Sequence, residues 1–285
     1  MSTLKIAIQK SGRLSEDSLN LLKGCNISLP KGKNKLIAPS TNFPAEVLYL
    51  RDDDIPQYVE DGIADIGILG LNVVKEKKHE VKIDKYLGFS RCRLSLAVPR
   101  NIEYQGINFF DGKKIATSYP KLTSEYLLDN GVQAEIHEIS GSVEIAPGIG
   151  LADGICDLVS TGGTLMSNGL KEVDVILKSE AVLISNPKLS SDKQDLLNKV
   201  LFRVESSLKA KHFKYILLNA PNDKVKTIID ILPGMKSPTV LPLAEAGWSS
   251  IHSVVKEDDF WNVIDQLKSN GAQGILVVPI EKMIL

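Results

Sequence analysis

The residues best suited to chemistry lie in one stretch, Asp157-Leu158-Val159-Ser160-Thr161-Gly162-Gly163-Thr164-Leu165. A short apolar strand carrying an acidic residue runs there into five consecutive small or hydroxyl residues. Such a run supplies free backbone N–H groups, hydroxyl donors and a close backbone approach, which a phosphate needs. Asp157, just upstream, is placed to hold the vicinal hydroxyls of a sugar. Together these residues predict a site for a phosphorylated ribose rather than for a bare anion. Glu144 begins the segment that returns to Asp157. It can join Asp157 on a ribose diol or a magnesium ion, or it can be an ordinary surface glutamate near a helix start.

Further candidates sit where strands give way to helices. Lys10 and Arg13 flank Gly12 between the first strand and the first helix, a ligand-facing position in a parallel sheet. A solvated basic turn is the bland alternative. Arg51 ends a strand and precedes Asp52, Asp53 and Asp54. Its guanidinium fork suits a pyrophosphate, but it can equally balance the acidic run. In Thr117-Ser118-Tyr119-Pro120-Lys121, hydroxyls and N–H groups again suit an anion, and a capped helix start explains the segment equally well.

The elements that must hold these residues follow βαβ grammar. Leu4–Ile8, Glu46–Leu50 and Asp65–Leu69 read as strands. Helical spacing follows the first two, through Leu14 and Leu22 and then through Ile55, Tyr58 and Val59. Asp54 is the predicted N-cap of the second helix. The pattern predicts a mainly parallel sheet with ligands at the carboxyl ends of its strands. A second unit follows the strand-like Arg93–Pro99, with strand Lys114–Ser118, a helix over 121–129, and strands Ala134–Ile139 and Asp157–Ser160. Val143–Ile155 reads as helical despite Pro147, Gly148, Gly150 and Gly154. Strand-like Asp174–Leu177 and Ala181–Ile184 come next, the second crossing back to the first unit. A cleft between two such lobes would set Asp157–Thr164 against loops of the first lobe. The last stretch, Tyr215–Ala220, Asp223–Leu232, Thr239–Pro242, Ile251–Val255, Asp258–Asn270 and Gly274–Val278, reads as the βαββαβ order of the ferredoxin-like plan.

Composition narrows the function classes. The chain has 285 residues, enough for two or three domains, and its 34 Lys and Arg balance 35 acids. No global basic field draws nucleic acid or anionic lipid, and aromatics do not interleave with basic residues. Cys25, Cys92 and Cys156 are far apart and read as reduced thiols. The four histidines lack metal-site spacing, and no Walker A loop, GxSxG elbow or GxGxxG follows a strand. No apolar run spans a bilayer and no leader segment is evident, so the expectation is a soluble, cytoplasmic protein.

Several longer motifs then stand in order: IAIQKSGRL at 6–14, LRDDDIP at 50–56, DGIADIGILG at 61–70, CRLSLAVP at 92–99 and KKIATSYP at 113–120. GSVEIAP at 141–147, GICDLVSTGGTLMSNGL at 154–170, LPGMKSPTVLPLA at 232–244 and ILVVPIEKM at 275–283 complete them. Over nearly its whole length the chain resembles the ATP phosphoribosyltransferases of the long, histidine-regulated form. The resemblance implies an α/β catalytic unit of two lobes, like type II periplasmic binding proteins, and a C-terminal ferredoxin-like regulatory domain. Lobe I is expected over 1–91 with 181–207, lobe II over 92–180, and the regulatory domain over 212–285. The implied reaction joins N1 of the ATP adenine to C1′ of phosphoribosyl pyrophosphate, with Mg²⁺ on the pyrophosphate and no dedicated protein ligand for it. Ser160, Thr161, Gly162, Gly163 and Thr164 would cradle the 5′-phosphate, and Asp157 and Glu144 the ribose hydroxyls. Lys10, Arg13 and Arg51 would serve catalysis on the ATP and pyrophosphate side, with Cys92 and Tyr119 near ATP. Histidine would act as inhibitor near Thr239, Leu241 and Ala272, in a homo-oligomer ranging from dimer to hexamer. Two other readings stay open. One is a non-enzymatic two-lobed solute receptor, which needs no sugar-phosphate loop; the other is a phosphoribosyltransferase for a different base.

Overall fold

The structure, a computed structural model, describes residues 2–30 and 36–284. It divides into two compact units, Met1–Lys23 with Ile27–Leu197 and Gly24–Asn26 with Asn198–Leu285.

The first unit opens with β1 (Leu4–Gln9), α1 (Arg13–Gly24), β2 (Ile37–Pro39) and β3 (Ala45–Leu50). There follow α2 (Ile55–Glu60), β4 (Ile66–Gly70), α3 (Leu71–Lys77) and β5 (Lys82–Tyr86). β3, β1 and β4 are parallel neighbours at the centre of the sheet. Ile66, Ile68 and Leu69 are buried, as expected of a strand covered on both faces. The sheet as a whole is mixed rather than mainly parallel, because β2 pairs antiparallel with β3 at one edge. At the other side the order continues β4-β11-β5, with β11 (Ala181–Ser185) antiparallel to both neighbours. The predicted crossing back of 181–184 is thus present, as the inserted strand. Asp54 does not cap α2 with its side chain. A 3-10 turn over Asp52–Asp54 leads into that helix and holds Asp54 in the αR region, where an N-cap side chain cannot reach back.

The second sheet is built from β6 (Cys92–Pro99), β7 (Lys114–Thr117), β8 (Glu135–Glu138), β9 (Gly154–Val159) and β10 (Leu170–Ser179). α4 (Pro120–Asp129) links β7 to β8, and α5 (Gly163–Ser167) follows β9. The order is β10-β6-β9-β7-β8. β6 therefore belongs inside this sheet rather than ahead of it. The expected helix over Val143–Ile155 is absent. A 3-10 turn spans only Val143–Ile145, and Gly154 and Ile155 already belong to β9. Pro147 and Gly150, the latter at φ +75°, break the helical path. The expected short strand 174–177 is the middle of a longer, bulged one.

The second unit contains most of α6 (Ser191–Ala210), then β12 (Phe213–Pro221), α7 (Val225–Ile231), β13 (Thr239–Pro242), β14 (Trp248–Lys256), α8 (Glu257–Ser269) and β15 (Gln273–Pro279). Its antiparallel order β13-β14-β12-β15 is the ferredoxin-like arrangement. Ile216, Leu218, Ile251, Val255, Phe260 and Leu267 form its core. Residues 198–207 group with this unit rather than with the first lobe. Met283 N–H donates to the Ser206 carbonyl at 3.0 Å, and Arg203 to the Cys25 carbonyl at 3.2 Å. Among the described residues no helix is long and apolar enough to cross a membrane.

Candidate active site

β9 delivers the Asp157 segment. Its apolar residues pair antiparallel with β6 and parallel with β7, and the strand stops where Ser160 begins a turn. Gly162 has φ +82°, a conformation an L side chain rarely adopts, so glycine lets the chain double back into α5. Gly163 is not sterically demanded, because a Cβ there would meet only Thr161 Oγ1 at 3.7 Å. Glu144, Asp157 and the Ser160–Thr164 turn line one cavity of about 290 Å³. Burial pushes the Asp157 carboxyl above its usual range; the Leu158 N–H, donating at 2.7 Å, opposes this, and the nearby Glu144 charge adds to it. Arg93 anchors the turn. It donates to the Ser160 carbonyl at 3.1 Å while holding both oxygens of Glu172 at 2.5 Å.

Across the first unit, Arg13 and Gln9 at the β1–α1 junction line a second cavity of about 250 Å³. Asp52 and Asn72 line it too, and Leu158 and Ser160 reach it from the other sheet. Arg13 stands 76% exposed, 4.0 Å from Asp17. Lys10 and Arg51 follow two strands whose register sets Gln9 opposite Leu50, and the Lys10 N–H donates to the Leu50 carbonyl at 2.8 Å. Both side chains are exposed, and neither lines the cavity. Asp52, which the sequence showed only as part of an acidic run, has its carboxyl pushed up by burial and then by Asp53.

Cys92 lines this cavity and an adjoining one of about 510 Å³ that also contains Leu71, Arg91 and Lys178. Burial raises its thiol pKa, against a hydrogen bond with Ser179. Tyr119 is not among the residues lining these cavities, and its hydroxyl accepts from Asn72 Nδ2 at 3.0 Å. Burial pushes its phenol far up. The Asn72 hydrogen bond opposes that, and the charges of Asp52, Asp157 and Asp53 reinforce it. The anion-binding reading of Thr117–Lys121 fails on hydrogen bonds. The free N–H groups of Lys121 and Leu122 donate to the two oxygens of Glu76 at 2.9 Å each, so that helix start is occupied. Asn72, Glu76, Arg91 and Arg93 escaped the sequence reading. Only Asn72, two residues past a strand end, carried a readable positional signal.

Among the described residues, no cluster of three or more His, Cys, Asp or Glu can hold a metal ion. The Glu144–Asp157 pair therefore suits a cation only if substrate oxygens complete its shell.

Family models match most of the chain. One described as ATP phosphoribosyltransferase covers residues 51–206, and one described as its C-terminal domain covers 210–282. The chain belongs to the ATP phosphoribosyltransferase family. A protein of that name from Cytophaga hutchinsonii is 56% identical over 285 residues, all of both chains. Another from Phocaeicola vulgatus is 55% identical over 282 residues, covering 99% of this chain and all of that one. Among solved structures, a chain of the Thermotoga maritima complex titled ATP phosphoribosyl transferase (HisG:HisZ) aligns with a TM-score of 0.62 at 29% identity. The alignment covers 71% of this chain and 99% of that one. This member of the family is thus the form with a C-terminal domain.

In that C-terminal unit the three expected effector residues do not meet. Leu241 faces Ser250, Ser250 faces Asn219, and Asn219 faces Gln273, so Leu241 and Gln273 stand at opposite sheet edges. Three strand spacings separate them by roughly 14 Å. Thr239 and Leu241 are exposed on β13, whereas Ala272 is only 6% exposed and packs in the core beneath the sheet.

Proposed function

We propose that the cleft joins N1 of the adenine of ATP to C1′ of 5-phosphoribosyl 1-pyrophosphate. The products are 1-(5-phosphoribosyl)-ATP and pyrophosphate, in the first step of histidine biosynthesis. The observation that carries this reading is the single cavity shared by Glu144, Asp157 and the Ser160–Thr164 turn, in a member of this family. A turn of small and hydroxyl residues beside two carboxylates is what a phosphoribosyl donor requires, and a solute receptor has no need of them.

In this mechanism Thr161, Gly162, Gly163 and Thr164 hold the 5′-phosphate through N–H and hydroxyl donors. Asp157 and Glu144 accept hydrogen bonds from the ribose hydroxyls, and their negative charge stabilises the oxocarbenium character that builds at C1′. The N1–C1′ bond forms as the C1′–O bond breaks, and its electron pair leaves on pyrophosphate. Lys10, Arg13 and Arg51 face that developing charge from the strand ends of the other lobe. Mg²⁺ carried on the pyrophosphate neutralises part of it. Adenine N1 is already a nucleophile, so alignment of the two substrates supplies most of the acceleration. Cys92 and Tyr119 belong to the ATP side.

Histidine as feedback inhibitor and assembly of dimers into a hexamer complete the proposal. A ligand touching both edges of the C-terminal sheet would be held between copies of that unit, which ties inhibition to assembly. The deciding assay mixes the full chain, ATP, Mg²⁺ and phosphoribosyl pyrophosphate and follows the N1-ribosylated product with and without histidine. Product that forms and falls with histidine supports the reading. No product with ATP, or a preference for a free base as acceptor, overturns it.

A further inference from the structure

α4 begins without a cap of its own. Its N-cap residue Tyr119 makes no side-chain capping hydrogen bond, and Pro120 has no N–H to satisfy. Thr123 N–H returns to the Tyr119 carbonyl at 3.0 Å, which leaves Lys121 and Leu122 as the orphan donors. Both are satisfied by one side chain, and it comes from the other lobe. Glu76 on α3 accepts from Lys121 N–H through Oε1 and from Leu122 N–H through Oε2, each at 2.9 Å, and is 5% exposed. One helical turn earlier on the same face, Asn72 donates to the Tyr119 hydroxyl at 3.0 Å. Asn72 is itself fixed, because Ser179 Oγ accepts from its N–H at 3.0 Å and donates to its Oδ1 at 2.8 Å. Gly70 makes room for this side chain, since a Cβ there would lie 2.3 Å from Asn72 Oδ1.

Helix starts are ordinarily capped by a neighbour in sequence, and a Ser or Asp at position 119 would suffice for folding alone. Here the cap is a buried carboxylate, expensive to desolvate unless both its oxygens are bonded. It is supplied across the cleft, to the helix that follows β7, the parallel neighbour of β9. The bond therefore ties α3, which follows β4, the parallel neighbour of the strand leading to Lys10 and Arg13, to the helix beside the strand carrying Asp157. We propose that Glu76 is a positioning residue of the transfer reaction: by capping α4 from the opposite lobe, it sets the registration between the two half-sites. This rests on the transferase reading above. Glu76 touches no substrate. It acts through α4, with the Asn72–Tyr119 bond as its second point of attachment.

Registration predicts a split that a purely structural role does not. A bimolecular transfer is sensitive to displacements of an ångström between reactants, whereas binding of one substrate to its own lobe is not. In the full-length protein, Glu76→Ala should lower kcat by about 100-fold and Glu76→Gln, which keeps one acceptor, by about 10-fold. Affinity for phosphoribosyl pyrophosphate, measured by calorimetry, should stay within about threefold of wild type, because the turn for its 5′-phosphate and both carboxylates for its ribose lie in the second lobe. Lys78→Ala, which removes the half-exposed pair between the residue after α3 and Glu125 on α4, should change kcat by less than about twofold. Hydrogen exchange at the Lys121 and Leu122 amides should accelerate in both Glu76 variants while later α4 amides stay protected. That readout needs no substrate.

A kcat near wild type in Glu76→Ala despite fast exchange at those amides overturns the proposal. So does a parallel fall of kcat and phosphoribosyl pyrophosphate affinity, which would mark a structural role. Should Glu76→Ala not fold, the Gln variant decides by the same criteria. A wild-type protein without turnover overturns the transferase reading and the positioning role with it, while the exchange data still report on the cap alone.

Discussion

The proposed phosphate turn in the first unit and the proposed effector region in the second are built on opposite principles. Ser160–Thr164 is contiguous, follows one strand end and closes a cavity with two carboxylates from its own lobe. Thr239 and Leu241 lie exposed on an edge strand, while Ala272 is buried under the far edge. In the proposed reaction the first region draws its ribose and 5′-phosphate contacts from one lobe. The second offers a sheet whose opposite edge strand also exposes Leu276, Val277 and Val278. A site complete in one chain can be broken by single substitutions, and a distributed one responds to how copies meet.

Substitutions on the catalytic side should have the largest effects. Arg51→Ala and Asp157→Asn should each lower turnover by roughly 100- to 1,000-fold, the consequence of losing one preorganised electrostatic contact worth about 3–4 kcal/mol. Steady-state kinetics checks both, and near-normal turnover in either would remove that residue from the mechanism. Asp157→Asn carries a second expectation. Folding raises the Asp157 pKa, so the native state binds its proton more tightly than the unfolded state. Stability therefore falls as pH rises from the ordinary carboxylate range through the raised value, and stays lowered above it. At neutral pH the Asn variant should unfold at a higher temperature than wild type, a gain in stability accompanying lost activity. A lower melting temperature at pH 7 would contradict the burial argument.

Next in size is Gly162→Ala. A left-handed conformation strains an L residue by about 1–2 kcal/mol, so KM for phosphoribosyl pyrophosphate should rise roughly tenfold while KM for ATP changes little. Equal effects on both substrates would place the turn elsewhere in the reaction. In the second unit, Thr239→Arg should raise the histidine concentration for half-inhibition by at least about fivefold, within the usual range of coupling energies. Unchanged inhibition would take the effector away from that edge. The smallest change is expected for Ala272→Ser, whose side chain points into the core. It should leave histidine inhibition within about twofold and lower stability by about 1–3 kcal/mol through a buried hydroxyl.

The same contrast explains what could be read before the fold was known. That Asp157–Thr164 is a strand running into a turn was legible because both are adjacent in the chain. The βαββαβ order of the last unit was legible because each element carries its own periodicity and the connections are short. What escaped depended on distance. Thr117–Lys121 has the composition of an anion site, and nothing nearby shows that Glu76, more than 40 residues upstream, already fills it. Val143–Ile155 misled because its apolar spacing outweighed Pro147 and Gly150, whereas the backbone obeyed the proline and the positive φ. Asp54 had the residue type of a cap, but the preceding acids formed a 3-10 turn that took its backbone out of the capping conformation.

The inserted strand β11 has a consequence for synthesis on the ribosome. β4 ends at Gly70, yet its partner on that side begins at Ala181, and β5 pairs with the sheet only through that same strand. At about 5–20 residues per second, the edge of β4 waits on the order of ten seconds for its neighbour. During that interval the whole second lobe emerges and can close its own sheet, while the first lobe exposes an apolar strand edge. The lobe begun first is therefore finished last, and a nascent chain stalled before residue 181 should be the form that most needs a chaperone.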